Sequence, residues 1–227
     1  MYNYILFDID NTLLDYNKLE KAAMTSILQK YGLPPLLSKR LSEITDRLWK
    51  QVEKKEITPD NLKIKRFEIL FNELNINDID VEKISMEYLC EASKYTYEIP
   101  LSYDVCKKLF DMGKKLYVVT NGIAFVQRSK LSRASFFKFF EKVFISEEIG
   151  FYKPDKTFFD YVIDDICAKR ENCIIIGDSL TSDILGGINS GIDTCWYNPM
   201  QNPSTKLITP TYTITSLYDV IDIVGDV

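Results

Sequence analysis

The chain reads as short apolar runs separated by amphipathic stretches. Tyr4–Phe7 is a β-rich run that ends abruptly in Asp8. Similar runs occur at Lys115–Val119 before Thr120-Asn121-Gly122, at Lys142–Ile145 before Ser146, at Cys173–Ile176 before Gly177-Asp178-Ser179, and at Thr194–Tyr197 before Asn198-Pro199. Tyr212–Ile214 is a late, shorter candidate. Continuous apolar runs of this length bounded by turn residues predict strands buried on both faces. Between them, helical periodicity covers Tyr103–Met112, Phe125–Ala134, Thr157–Ala168, Asp183–Ser190 and Leu217–Val224, with Gly191 in a C-cap position. Strand–helix alternation implies right-handed βαβ units and a parallel sheet flanked by helices, an α/β Rossmann-like core.

Residues 15–100 break the rhythm. Charged, helix-favouring stretches at Lys18–Lys30, Ser38–Lys54, Asp60–Leu74 and Val81–Tyr95 are punctuated by Pro34-Pro35, Thr58-Pro59 and Asn75-Ile76-Asn77. The pattern predicts an inserted α-helical bundle over 15–100 and a core formed by 1–14 and 101–227. Such an insert suits a lid, with hinges near Leu14-Asp15 and Pro100-Leu101. Aromatics at helical spacing in the insert, Trp49, Phe67, Phe71, Tyr88 and Tyr16, are expected chiefly in bundle packing. Asn17 lies near the hinge. Arg40, Arg47, Lys63 and Arg66 are expected on solvated faces. None of these residues is nominated as a substrate contact.

At 227 residues, with 46% hydrophobic and 27% charged side chains, the chain suits a globular fold. Twenty-eight basic and 33 acidic side chains leave a net charge of −5, which argues against coating a nucleic-acid polymer or an anionic membrane. There is no apolar stretch long enough for a membrane span, and MYNYILFDID lacks the pattern of a signal peptide. The five cysteines include no CxxC; four sit beside apolar or aromatic neighbours, so buried free thiols and a cytoplasmic location are expected. The absence of histidine has the sharpest consequence. It removes Ser-His-Asp and Cys-His catalysis and HExxH zinc sites. Acid–base work falls to carboxylates, Lys, Tyr or Cys, and a metal would be held by oxygens, which favours Mg²⁺.

Four polar features follow strand candidates. In an open parallel sheet, ligands bind beyond the carboxyl ends of the strands. Asp8 and Asp10 can share one metal, or simply belong to a polar turn. Asp178 and Asp183 can complete and support a metal shell, or cap a helix. Thr120-Asn121-Gly122 can grip phosphate oxygens through a hydroxyl and backbone N–H groups, or form a tight turn. Lys153, before Pro154 and a predicted helix, can neutralise a phosphate and a carboxylate, or be a solvated lysine.

Taken together, Phe7-Asp8-Ile9-Asp10-Asn11-Thr12-Leu13, Val118-Val119-Thr120-Asn121-Gly122, Lys153-Pro154 and Gly177-Asp178-Ser179-Leu180-Thr181-Ser182-Asp183 resemble the four motifs of the haloacid-dehalogenase superfamily. The insert resembles that superfamily's helical C1 cap. Gln127, Lys130-Leu131, Ile145–Gly150, Ser182–Gly191 and Thr194-Cys195-Trp196 resemble the YjjG-type pyrimidine 5′-nucleotidase branch. The resemblance implies a Mg²⁺-dependent phosphomonoester hydrolase working through an aspartyl-phosphate on Asp8. By the same resemblance Asp10 would act as acid and then base, and Thr120, Asn121 and Lys153 would stabilise the phosphoryl oxygens. Asp8, Asp10 (through its backbone carbonyl) and Asp178 would bind the metal, and Asp183 would orient its shell. The implied substrate is a small phosphate ester, a pyrimidine nucleoside 5′-monophosphate. The alternatives are a sugar-phosphate or phosphoglycolate phosphatase and, from another class, a non-catalytic binding protein. Monomer and dimer remain open.

Overall fold

The computed structural model describes residues 2–203 and 207–225. These residues form a six-stranded, all-parallel sheet: β1 (Tyr4–Phe7), β2 (Lys115–Thr120), β3 (Phe140–Ile145), β4 (Cys173–Gly177), β5 (Asp193–Tyr197) and β6 (Tyr212–Ile214), in the order β3-β2-β1-β4-β5-β6. β1 pairs with both β2 and β4, with Phe7 opposite Val118 on one side and Ile176 on the other. The strand order therefore reverses at β1, and the cleft at such a switch point is where an open parallel sheet binds ligands.

Helices α1 (Tyr16–Lys30), α2 (Leu37–Glu53), α3 (Pro59–Leu74), α4 (Val81–Ala92) and α5 (Ser102–Asp111) lie between β1 and β2. They are followed by α6 (Ala124–Leu131), α7 (Ser146–Ile149), α8 (Lys156–Asp165), α9 (Leu185–Ser190) and α10 (Asp219–Val224). The chain divides into two compact units. Unit 1 is 1–15, 98–124 and 132–227; unit 2 is 16–97 with 125–131.

In unit 1 the sheet is apolar because it is covered. Ile5, Leu6, Phe7, Ile174, Ile175 and Ile176 are fully buried. Phe158, Phe159, Val162 and Ile163 of α8 pack on Leu6, Val119 and Ile175. Helix α8 stops earlier than its periodicity predicts. Cys167 adopts a left-handed conformation (φ 51°), and the Ala168 N–H closes back on the Ile163 carbonyl at 3.1 Å. This is a Schellman-type end without the glycine that would announce it. The stretch predicted as one helix from Asp183 begins instead as a π-type turn over Leu180–Ile184, which runs into α9. Gly191 is left-handed at the end of α9, as its C-cap position predicts. Cys106, Cys173 and Cys195 are buried, whereas Cys90 and Cys167 are exposed, so an apolar neighbour in the chain does not bury those two thiols. Among the described residues no helix is long and apolar enough to cross a membrane.

Unit 2 is a helical bundle whose starts and stops follow sequence signals. Thr58 caps α3 by accepting the Asn61 N–H at 3.2 Å, with Pro59 in the first turn and left-handed Asn75 at the end. Asp80 caps α4 by accepting the Lys83 N–H at 3.0 Å. Phe67, Phe71 and Tyr88 are interior residues, as aromatic spacing predicts. Arg66 departs from expectation: it is 2% exposed, not solvated. Its position explains this, since Leu62 and Leu70, four residues either side on α3, are both buried and define the inward face.

Candidate active site

Asp8 is the first residue beyond β1. Its N–H continues the sheet pattern by donating to the Ile176 carbonyl at 2.9 Å, which fixes the backbone at the switch point. The chain then winds around the Ile9 carbonyl, which accepts the N–H groups of Thr12, Leu13 and Leu14. Left-handed Asn11 (φ 59°) makes that reversal, a conformation asparagine tolerates better than most residues. Thr12 emerges beside Asp8 and donates its hydroxyl to the carboxylate at 3.3 Å.

Lys153 reaches the same point from the segment between α7 and α8. Its ammonium donates to Asp8 Oδ1 at 2.8 Å, Asp183 Oδ1 at 2.6 Å and the Val119 carbonyl at 2.8 Å. The three protons of an ammonium thus have three acceptors. The residue is 1% exposed, so its environment is the opposite of a solvated lysine. Asp183 is fully buried, and its second oxygen accepts the Ser179 N–H at 3.1 Å. In return Ser179 Oγ accepts the Ser182 N–H at 3.2 Å, so a capping arrangement and an ion pair share one carboxylate. Gly177 makes room for it. A Cβ there would lie 2.2 Å from Asp183 Oδ2, closer than any side chain can approach. Asp178 is partly exposed, and its carbonyl accepts the indole N–H of Trp196 on the neighbouring strand at 2.8 Å.

Thr120 and Asn121 follow β2. Thr120 is buried, and its hydroxyl oxygen accepts the Gly122 N–H at 3.2 Å, so the turn foreseen as an alternative is present. The Asn121 carboxamide is turned onto the backbone of Lys153, donating to its carbonyl at 2.8 Å and accepting its N–H at 2.9 Å. The Glu147 carboxylate takes the Ala124 N–H at 2.6 Å, anchoring the end of this loop.

Asp8, Asp178 and Asp183 place a carboxylate oxygen each within 4.8 Å of one another. Among the described residues this is the one such group of acidic, cysteine or histidine side chains; the Asp10 carboxylate is outside it. Lys153 is the cation that directly bonds to it. Burial pushes the Asp8 carboxyl up to about 7; the charges of Asp183 and Asp10 add to the rise, while Lys153 opposes it. Burial also raises Asp178, followed by the charges of Asp8 and Asp183. For Lys153, burial pulls the pKa down, but Asp183 and Asp8 outweigh it and the net shift is upward. An all-oxygen set of crowded carboxylates with excess negative charge fits a hard divalent cation.

The sheet order and this carboxylate–lysine cluster at its switch point define a hydrolase class. The family model for haloacid dehalogenase-like hydrolases matches residues 5–197, and the chain belongs to that family. Within it, the chain is similar to the pyrimidine 5′-nucleotidase PynA of Streptococcus pneumoniae, with 33% identity over 224 residues, covering 97% of this chain and 94% of the relative. It is also similar to the pyrimidine 5′-nucleotidase YjjG of Escherichia coli, at 27% identity over 219 residues and 96% of each chain. Among solved structures it is similar to the HAD-hydrolase YfnB of Bacillus subtilis bound to magnesium, with a TM-score of 0.92 and 33% identity over 99% of each chain.

The sequence singled out Asp8, Lys153 and Asp183, and direct hydrogen bonds join them. It missed the supporting contacts of Thr12, Ser179, Gly177 and Trp196. The first three sit inside or beside the motifs, so proximity was their signal; the Trp196 indole bond crosses to another strand and carries none.

Proposed function

We propose that the chain is a Mg²⁺-dependent phosphomonoester hydrolase acting on pyrimidine nucleoside 5′-monophosphates. The observation that carries the reading is the buried Asp8 carboxylate, held by Lys153 within a group of three acidic side chains. The two nucleotidase relatives support the substrate class, and the magnesium-bound relative supports the choice of ion.

In this reading Asp8 attacks phosphorus and an aspartyl-phosphate forms; water then releases phosphate and restores Asp8. Asp10 delivers a proton to the leaving oxygen and later takes one from the attacking water. Lys153 holds the Asp8 carboxylate in place and offsets negative charge on the phosphoryl oxygens, aided by the Thr120 hydroxyl and the backbone N–H of Asn121. Asp8, Asp178 and the Asp10 carbonyl would hold the ion, with Asp183 orienting Lys153 and Ser179 beside it. A bound divalent ion supplies charge neutralisation between the carboxylate and the incoming phosphate. Carboxylates thereby take the nucleophilic and acid–base work in a protein without histidine. We also read unit 2 as an inserted cap, and the free thiols support a cytoplasmic setting.

The test is phosphate release by purified protein from UMP, dUMP, dTMP, purine monophosphates, sugar phosphates and phosphoglycolate, with Mg²⁺ or with chelator. Mg²⁺-dependent release favouring pyrimidine monophosphates is the expected result. Equal or greater activity on sugar phosphates displaces the nucleotidase assignment. No release from any monoester, p-nitrophenyl phosphate included, removes the enzyme reading.

A further inference from the structure

We infer that the Asn121 side chain is a positioning group that acts through Lys153, and that it is not itself a phosphate ligand. The inference rests on the proposed hydrolase chemistry and concerns the division of labour within that site.

The argument is one of geometry. The Asn121 carboxamide lies edge-on to the peptide groups of Lys153, giving its N–H to the carbonyl at 2.8 Å and receiving the backbone N–H at 2.9 Å. A donor and an acceptor in one rigid plane are needed for this cyclic pair. Aspartate lacks the donor, serine and threonine lack the second atom, and glutamine is one methylene too long. At the far end of the same residue, the ammonium is held by Asp8, Asp183 and the Val119 carbonyl. Lys153 is therefore pinned at its backbone and at its tip. A lysine stem is otherwise among the most freely rotating side chains, and ordering it carries a large entropic cost.

The pin matters because Lys153 comes from the segment Gly150–Asp155, between the end of α7 and the start of α8, outside any regular element. Asn121 stands immediately after β2, which is in register with the sheet through Val118 and Thr120. The carboxamide thus ties a loop residue 32 positions away to the rigid strand end. Val119, two residues before Asn121, supplies one of the acceptors at the ammonium, so one short stretch of chain sets both ends of the lysine.

A double-mutant cycle tests this. Asn121→Ala is expected to lower kcat/KM about 10²-fold in the full-length protein with Mg²⁺, the scale of loss for a displaced catalytic group. In a Lys153→Ala background the same change is expected to have almost no further effect, because the residue it positions is gone. Losses that multiply, or an Asn121→Ala variant of unaltered activity, overturn the inference. Amide hydrogen exchange supplies a readout independent of turnover. The Lys153 N–H is expected to lose protection in Asn121→Ala while strand amides of β1 and β4 keep theirs; retained protection at Lys153 also overturns it. A wild-type protein that releases no phosphate sinks the hydrolase reading alone, and amide exchange then still decides whether Asn121 holds Lys153.

Discussion

Each unit buries more than one cation, and Lys153 of unit 1 and Arg66 of unit 2 are treated very differently. In unit 1, Lys153 gives its three protons to Asp8, Asp183 and a backbone carbonyl, all within 2.8 Å. In unit 2, Arg66 has a longer bond of 3.3 Å from Nε to the Lys63 carbonyl and a guanidinium carbon 4.6 Å from the Tyr88 ring centroid. Its Nη2 has no hydrogen-bond partner among the described residues. Both charges lose hydration on folding, and an interior charge is tolerated only as far as its partners replace water. The lysine sits in a site with more carboxylates than cations, which leaves a negative field of the kind that suits a divalent cation. The arginine lies on the α3 face marked by buried Leu62 and Leu70, beside Tyr88 and near enough to Glu20 for its charge to be felt there. Burial of a charge alone therefore does not mark chemistry; convergence of opposite charges on a strand end does.

The sharpest way to break this contrast is Asp8→Asn. If the unit 1 cluster exists for chemistry, activity falls by about 10⁴-fold or more, while the folded state survives, since burial already disfavours the ionised Asp8. Phosphate release and a thermal melt on the same preparation check both halves. An active variant ends the nucleophile assignment.

Lys153→Met comes next. It leaves Asp8 and Asp183 buried without their shared cation, and removing one partner of a buried pair costs about 3–5 kcal/mol. Urea denaturation in chelator measures it, and an unchanged midpoint would show that the two buried cations are equally dispensable. Gly177→Ala should be smaller. Its Cβ meets Asp183 Oδ2 at 2.2 Å, so the carboxylate must swing away from Lys153 or the strand must shift. Overpacking of this kind costs about 1–3 kcal/mol. Activity is expected to fall with it, because the displaced group is the lysine's partner.

Much of this was legible in the chain because parallel strands buried on both faces leave continuous apolar runs, and site residues stand where those runs stop. Ile174–Ile176 followed by Gly177-Asp178 reveals both strand and site. Three features were illegible for separate reasons. Asn121 bonds a backbone 32 residues away, and a backbone partner has no sequence signature. Helix α8 ends on a left-handed cysteine where glycine is the usual mark. Arg66 has the residue type of a solvated face but a place between Leu62 and Leu70 that points inward. Position outranked chemistry there because a long stem can be buried as hydrocarbon.

Arg66→Met sharpens the comparison from the other side. Methionine keeps most of the buried stem and removes a guanidinium that has one long hydrogen bond, the Tyr88 ring and, among the described residues, no carboxylate bonded to it, so the expected change is within about 1 kcal/mol, of either sign. A loss as large as that of Lys153→Met, in the same urea assay, would place the two cations in one category and cancel the contrast.

The smallest effect belongs to Glu20, the buried acid of unit 2. Its carboxylate accepts the Tyr16 hydroxyl at 3.0 Å and the Ser42 hydroxyl at 2.5 Å. Burial nevertheless raises its pKa, with Asp46 adding to the rise and Ser42, Tyr16 and Arg66 opposing it. The folded-state pKa therefore lies above the unfolded one, so the protonated form is the one that folding favours. This contribution is fully present below the unfolded-state pKa and is lost as pH climbs through the folded-state value. Glutamine keeps an acceptor and a similar shape without the charge. Glu20→Gln should accordingly flatten the fall in stability across that acidic window and leave stability at pH 7 equal or higher, by under about 1 kcal/mol. Urea midpoints of both proteins from pH 4 to pH 7 check it. A mutant that instead loses stability steadily as pH rises relative to wild type would mean that unit 2 relies on the ionised acid, and that its interior is electrostatically organised like that of unit 1.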